Sequence, residues 1–359
     1  MNTYKKHIRN SFIFSLLILV IVALINFIID PYKQYGLNSL NPYFKNARYL
    51  NPGLIKNYNY DTIIVGTSNS ANFLTKEIDK ALGVKSLKVI STGSTAFENK
   101  SIMSLALRKE KVKVIILELD PLSWQGDKKR IHKSMTTLPT YLYDDNIFND
   151  YQYLLNFDVL YSENISAIAG NFFGFQEKNT NIELAYYWAD KATFSEENLL
   201  SYIKNIKAYK SPIDSKKISN NSELQLLKQS FDFNTLQLIK DYPNTKFIIF
   251  HPPYSILAFK MLEAENQLDM YLNLKKYIYE STKKYENVSL YDFQIEKNIT
   301  HDLDNYLDDR HYSNLINNWM IEQIEKGTYL VNQDTIDIYI NSLKTQVQKY
   351  DINMFINKK

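Results

Sequence analysis

Two short stretches carry residue types that could do covalent chemistry. The apolar run Ile63-Ile64-Val65 stops in Gly66-Thr67-Ser68-Asn69-Ser70, and far downstream the chain reads Asp308-Asp309-Arg310-His311. A serine hydroxyl is a poor nucleophile at neutral pH. It needs a base within hydrogen-bond reach, and the base needs a third group to orient it. Histidine suits the base because its unperturbed pKa lies near working pH. Of the five histidines, His301 and His311 both fall in the stretch HDLDNYLDDRHYSN. A carboxylate three residues before a histidine can fold back within one turn to accept its ring N–H; Asp308 has that spacing to His311 and Asp309 does not. Each residue also has a plainer reading: Ser68 as a turn or capping serine, His311 as a solvated loop histidine. Ser70 is a second candidate nucleophile, or the cap of the helix that follows.

Other polar residues follow apolar runs, where ligands gather in an open parallel sheet. Gly93 reads most simply as a turn glycine. Asp120 precedes Pro121 and either ends a strand or serves the site. His251 precedes Pro252-Pro253 and either holds the backbone or touches substrate. His301, Asp302 and Asp304 form a local cluster with no second ligand group elsewhere, so no metal is assigned. The loop after residue 65 lacks the glycine pattern that cradles phosphates, and nothing calls for a cofactor. The aromatic residues of 141–190 read as packing, or as a platform for sugars.

These residues need elements to position them. Strand patterns cover 62–65, 86–90, 112–119, 246–250 and 288–291. Helical patterns cover 72–82, 97–109, 231–242, 256–285 and 314–326, and an amphipathic helix is expected over 332–356. Continuous apolar strands such as VKVIILEL suit a parallel sheet covered on both faces. Alternating strands and helices predict an α/β fold, a three-layer doubly wound parallel sheet with right-handed crossovers. Residues from about 125 to 240 interrupt the rhythm as a helical insertion between the third and fourth strands.

The N-terminus sets the location. Residues 11–29, SFIFSLLILVIVALINFII, carry no charge. At about 1.5 Å per residue they match a bilayer core. Lys5, Lys6 and Arg9 precede the run and Asp30-Pro31 follows it, with no small-residue cleavage site. The positive-inside rule leaves 1–10 as a cytoplasmic tail and the rest of the chain outside a cell membrane crossed once. Residues 30–58 read as a linker that becomes a segment packed on the domain, 59–330 as the α/β domain, and 331–359 as the C-terminal helical segment. With 359 residues, 45% of them apolar, the chain can bury a core. Its 42 basic and 39 acidic residues argue against a nucleic-acid binder. The absence of cysteine excludes disulfides, thiolate nucleophiles and thiolate metal sites.

Gly66-Thr67-Ser68 near the start of an α/β domain, with Asp308-x-x-His311 near its end, resembles the SGNH/GDSL hydrolase superfamily over about residues 60–330. With the anchor, it is similar to the extracytoplasmic branch that includes alginate O-acetyltransferases and the proteins that transfer D-alanine to lipoteichoic acid. The resemblance implies Ser68 as nucleophile, His311 as base and Asp308 as orienting carboxylate, with the Ser68 and Gly93 backbone N–H groups in the oxyanion hole. It implies acyl transfer to or from a cell-envelope glycan, or hydrolysis of an acyl group, with a multi-spanning acyltransferase supplying the donor. The chain has Thr67 where the family commonly has Asp, and Leu119-Asp120 where it usually supplies an Asn after the third strand. An ionised Asp120 would repel an oxyanion. This departure leaves a second reading, a catalytically inactive glycan-binding or assembly module of a polysaccharide-modifying complex.

Overall fold

A computed structural model describes residues 2–41, 44–132, 137–173, 181–209 and 220–351. Five apolar runs form one parallel sheet: β1 (Thr62–Val65), β2 (Ser86–Lys88), β3 (Val114–Glu118), β4 (Lys246–His251) and β5 (Val288–Asp292), in the order β2-β1-β3-β4-β5. Leu87, Ile63, Ile115, Phe247 and Val288 lie side by side in register across it. Ile63, Ile64, Val65, Ile115 and Ile116 are all fully buried, so neither sheet face meets water, and the runs are continuous rather than alternating. The order reverses between β1 and β3. A crevice therefore opens at the carboxyl ends of these two strands.

The helices are α1 (Asn2–Ile29), α2 (Ala47–Asn57), α3 (Thr75–Leu82), α4 (Ala96–Leu107), α5 (Pro121–Trp124), α6 (Tyr151–Leu154), α7 (Asn164–Phe173) and α8 (Glu196–Tyr209). They continue with α9 (Asn220–Phe231), α10 (Gln237–Asp241), α11 (Ile256–Ala264), α12 (Leu268–Thr282), α13 (Lys297–Thr300), α14 (Asn314–Lys326) and α15 (Ile336–Lys349). α4 begins at a capping box in which Thr95 and Glu98 satisfy each other's backbone N–H. α3 ends where Gly83 turns left-handed at φ 65°. The helix expected over 256–285 is two helices, because Asn266 adopts φ 58° between them, a conformation asparagine tolerates better than most residues. The helix expected from residue 72 starts at Thr75, after a 3₁₀ turn over Ser70–Asn72. In the C-terminal segment, α15 spans Ile336–Lys349, and residues 352–356 lie outside the described residues.

The chain divides into two compact units. One is Met1–Asn59 with Thr136–Ala185; the other is Tyr60–Met135 with Tyr186–Lys359. Most of the segment 30–58 and the middle of 125–240 thus fall in the first unit, and the end of 125–240 falls in the unit that holds the sheet. In the first unit α2 buries Leu50, Leu54 and Ile55. A Cβ on its Gly53 would sit 2.0 Å from the Tyr32 carbonyl oxygen, so only glycine permits that contact between backbones. In the second unit the core joins Ile64, Ile116, Ile248 and Phe250 of the sheet to Phe73, Phe259, Tyr271 and Met320 around it. Residues Thr3–Ile29 form one helix long and apolar enough to cross a membrane, with mean hydropathy 3.1.

Candidate active site

Ser68 stands just past β1 in a turn that the neighbouring strand holds. Glu118 ends β3 with its carboxylate buried beneath that turn. It accepts from the Thr67 N–H at 2.9 Å, the Thr67 hydroxyl at 3.0 Å, the Asn69 amide at 3.2 Å and the Ser70 hydroxyl at 2.7 Å. Gly66 leaves the room for this. A Cβ there would lie 2.5 Å from Ser70 Oγ and 2.6 Å from Glu118 Oε2. From the other side the Trp188 indole N–H donates to the Ser68 carbonyl at 2.7 Å, and the Asn317 amide of α14 donates to the Asn69 carbonyl at 3.0 Å.

His311 reaches this turn across 243 positions of sequence, with Nε2 2.7 Å from Ser68 Oγ. Its loop is closed by the Tyr306–Tyr312 bridge and by the Leu307 N–H donating to the His311 carbonyl at 2.9 Å. Asp308 Oδ1 accepts the backbone N–H groups of Arg310 (2.9 Å) and His311 (2.8 Å), which leaves Oδ2 aimed at His311 Nδ1, 2.6 Å away. With Nδ1–H donating to Asp308, Nε2 is free to accept the Ser68 proton. Asp309 does a different job. Its carbonyl accepts from the Ser255 N–H and hydroxyl at 3.1 and 2.9 Å, and its carboxylate pairs with Arg310 at 3.2 Å. The Trp188 ring meets the imidazole edge-on, 5.4 Å between centroids.

Asp308 and His311 each support the other's charged form. Burial works against charge on Asp308, but its bond to His311 and the two backbone donors outweigh burial and hold the carboxyl below its ordinary value. Burial likewise opposes the imidazolium. The Asp308 hydrogen bond and charge, with Glu118 and Asp309 adding to them, overcome it and raise the His311 pKa. Glu118 and Asp120 are a close buried pair, and burial pushes both up. Glu118 has four donors pointing at it, an arrangement that suits the carboxylate.

Ser68 and His311 line a pocket of about 280 Å³, with Asn69, Gly93, Asp120, Arg130 and Arg310 on its walls. Gly93 has φ 61°, in the region glycine occupies freely. Neither its N–H nor that of Ser68 donates to a protein acceptor among the described residues, so both are available to an oxyanion. Asp120 Oδ1 accepts from the Leu122 N–H at 3.0 Å and the Tyr254 hydroxyl at 3.1 Å, which makes it the cap of α5 as well as a pocket wall. A second cavity of about 270 Å³, apolar along Leu227, Phe259 and Leu262, shares Leu122, Gln125, Tyr254 and Arg310 with the first.

Ser68, His311, Asp308, Gly93 and Asp120 come together; His251 does not. It ends β4 outside the pocket lining, fully buried, with neither ring nitrogen hydrogen-bonded. It lies beside the Lys275–Asp292 ion pair (2.6 Å), and burial and the Lys275 charge, partly offset by Asp292, bring its pKa down to about 3. Of its two readings, the structure gives no contact with the pocket: this end of β4 packs against the turn Phe293–Ile295 that follows β5. The Ser70 hydroxyl donates to Glu118 rather than toward His311, and the N-cap position of α3 is Leu74. The His301, Asp302 and Asp304 side chains turn to Gln346, Asn305 and the Glu196 N–H respectively, and no metal-holding group occurs among the described residues. Sequence reasoning missed Glu118, whose signal was a lone acid inside an apolar strand, and Trp188, which had no signal in the pattern of the chain. No family model, curated protein or solved structure matches the chain, so the chemistry of the site rests on its geometry.

Proposed function

We propose that the chain is a membrane-anchored serine acyltransferase or esterase of the SGNH/GDSL type, acting on acyl groups of a cell-envelope glycan. The observation that carries the reading is the relay of 2.7 Å from Ser68 Oγ to His311 Nε2 and 2.6 Å from His311 Nδ1 to Asp308. Ser68 Oγ attacks the acyl carbonyl while His311 takes its proton. The oxyanion sits against the Ser68 and Gly93 N–H groups, each such donor contributing about 3 kcal/mol in acyl transfer. His311 then protonates the leaving group, and an acyl-serine remains. A glycan hydroxyl or water attacks that ester, gives its proton to His311 and regenerates Ser68. The strand order, with Ser68 after β1 and Asp308-x-x-His311 before α14, supports the family resemblance.

In this reading α1 is a single-pass anchor, Lys5, Lys6 and Arg9 stay in the cytoplasm, and the catalytic unit is extracytoplasmic. A transferase so placed takes its acyl group from a donor carried across the bilayer, through a multi-spanning acyltransferase partner. Labelling with a serine-reactive fluorophosphonate tests the site. The wild type should label and Ser68→Ala should not, and envelope-glycan acylation should fall in the same variant. A wild type that stays unlabelled is instead a binding or assembly module on the same fold.

A further inference from the structure

Within the first unit, residues 147–173 expose large apolar side chains beside the outer end of α1. Phe148, Phe157, Tyr161, Ile165, Phe172 and Phe173 are between 56% and 86% exposed, far more than single scattered apolar residues need. Phe157, Tyr161, Ile165 and Phe172 recur at helical spacing through the helical turns 159–163 and α7 and so share one face. The buried residues of the same stretch, Tyr153, Val159, Asn164 and Ala167, form the opposite side, and α1 packs against α6, 159–163 and α7.

The stretch is fastened at a defined height on α1. Asn26, in the last turn, donates to the Leu154 and Asn156 carbonyls at 2.9 and 3.2 Å and accepts from the Asn164 amide at 2.8 Å. Asp30, the first charge after the apolar run, accepts from the Tyr153 hydroxyl at 3.0 Å. On α1 itself Phe27 and Ile28, which follow Asn26, are also exposed. Residues 147–173 contain no Lys or Arg, so any attraction to a membrane here is apolar and aromatic rather than electrostatic.

We infer that residues 147–173 are a second membrane contact, lying in the plane of the interface with the Phe148, Phe157, Tyr161, Ile165 and Phe172 face in the boundary between headgroups and acyl chains. This rests on the reading of α1 as a membrane span: Asn26 and Asp30 fasten the stretch to the end of α1, where such a span meets the interface. Amphipathic helices with such faces sit in that boundary, and aromatic residues concentrate there.

The absence of cysteine makes the test direct. Full-length single-cysteine variants Leu17→Cys, Phe148→Cys, Phe157→Cys, Phe172→Cys and Lys326→Cys are labelled with an environment-sensitive fluorophore and reconstituted singly into phosphatidylcholine liposomes. Quenching by nitroxide lipids is compared with quenching by a water-soluble agent. Labels at 148, 157 and 172 should be quenched several-fold more by nitroxides near the glycerol than by the soluble agent. The label at 17 should respond to nitroxides deep in the chains, and the label at 326 only to the soluble agent. If 148, 157 and 172 behave like 326 while 17 meets lipid, the interfacial contact is overturned and the anchor stands. Shielding from both quenchers means that a second copy covers the face, which also overturns the lipid contact. A water-quenched label at 17 removes the anchor and this inference together.

Discussion

Asp308 divides its two oxygens between tasks: one fixes the loop through backbone N–H groups and the other orients the His311 imidazole. A base must be neutral to accept a proton. Because Asp308 raises the His311 pKa, labelling of Ser68 should fall as pH drops through a value above the ordinary histidine pKa. Asp308→Asn removes that support. The acid limb of the profile should move to lower pH, and the rate should fall by roughly 10⁴-fold, as when such an orienting carboxylate is lost elsewhere. An acid limb left in place would show that another group titrates. Glu118→Gln tests the layer below. The amide replaces an acceptor oxygen with donors facing the Thr67 and Ser70 donors, so about 2 kcal/mol of stability should be lost, read as a lower melting midpoint with slower labelling. At this scale the sequence pointed to Ser68, Asp308 and His311 through their order and the three-residue Asp-to-His spacing that one turn of chain can close, although each residue alone had a plainer reading. It hid Glu118 and Trp188, whose roles exist only once distant segments meet.

Among the elements, the β1 turn depends on empty space at Gly66. Gly66→Ala places a methyl against Ser70 and Glu118, so it should cost about 1–3 kcal/mol as overpacking and misplace Ser68, slowing fluorophosphonate labelling even where the protein stays folded. Labelling at the wild-type rate would show that the turn tolerates the shift. The end of β4 gives a pH signature of a different kind. His251 is held neutral down to about 3, whereas in the unfolded chain it takes a proton below about 6.5. Between those values the unfolded state binds the extra proton, so stability falls as pH drops. His251→Phe should remove that loss, worth about 2 kcal/mol at pH 5, seen as a smaller drop in melting midpoint between pH 7 and pH 5. Equal drops would locate the proton elsewhere. The strands were legible because buried parallel strands are continuous apolar runs. The break at Asn266 and the late start of α3 were not, since a left-handed residue and a turn tied to Glu118 leave the helical spacing of apolar residues intact.

At the scale of the whole chain, charge and hydropathy made α1 legible from residues 11–29 alone, whereas the unit that gathers Met1–Asn59 with Thr136–Ala185 was not. Its cohesion depends on single polar residues meeting across sequence, and no periodicity announces such a meeting. Asn26 is the clearest case, a buried polar side chain in the uncharged run 11–29 that holds Leu154, Asn156 and Asn164. Asn26→Leu makes the helix a better membrane span while stranding the carbonyls of 154 and 156 and the Asn164 amide. Each stranded buried group costs about 1–3 kcal/mol. The two properties should therefore separate. The variant should remain in the membrane through alkaline extraction, and proteolysis within residues 147–173 should become faster than in the wild type. Loss from the membrane would mean that insertion itself relies on the folded unit; unchanged proteolysis would mean that the unit is held by its apolar contacts and that Asn26 contributes little to it.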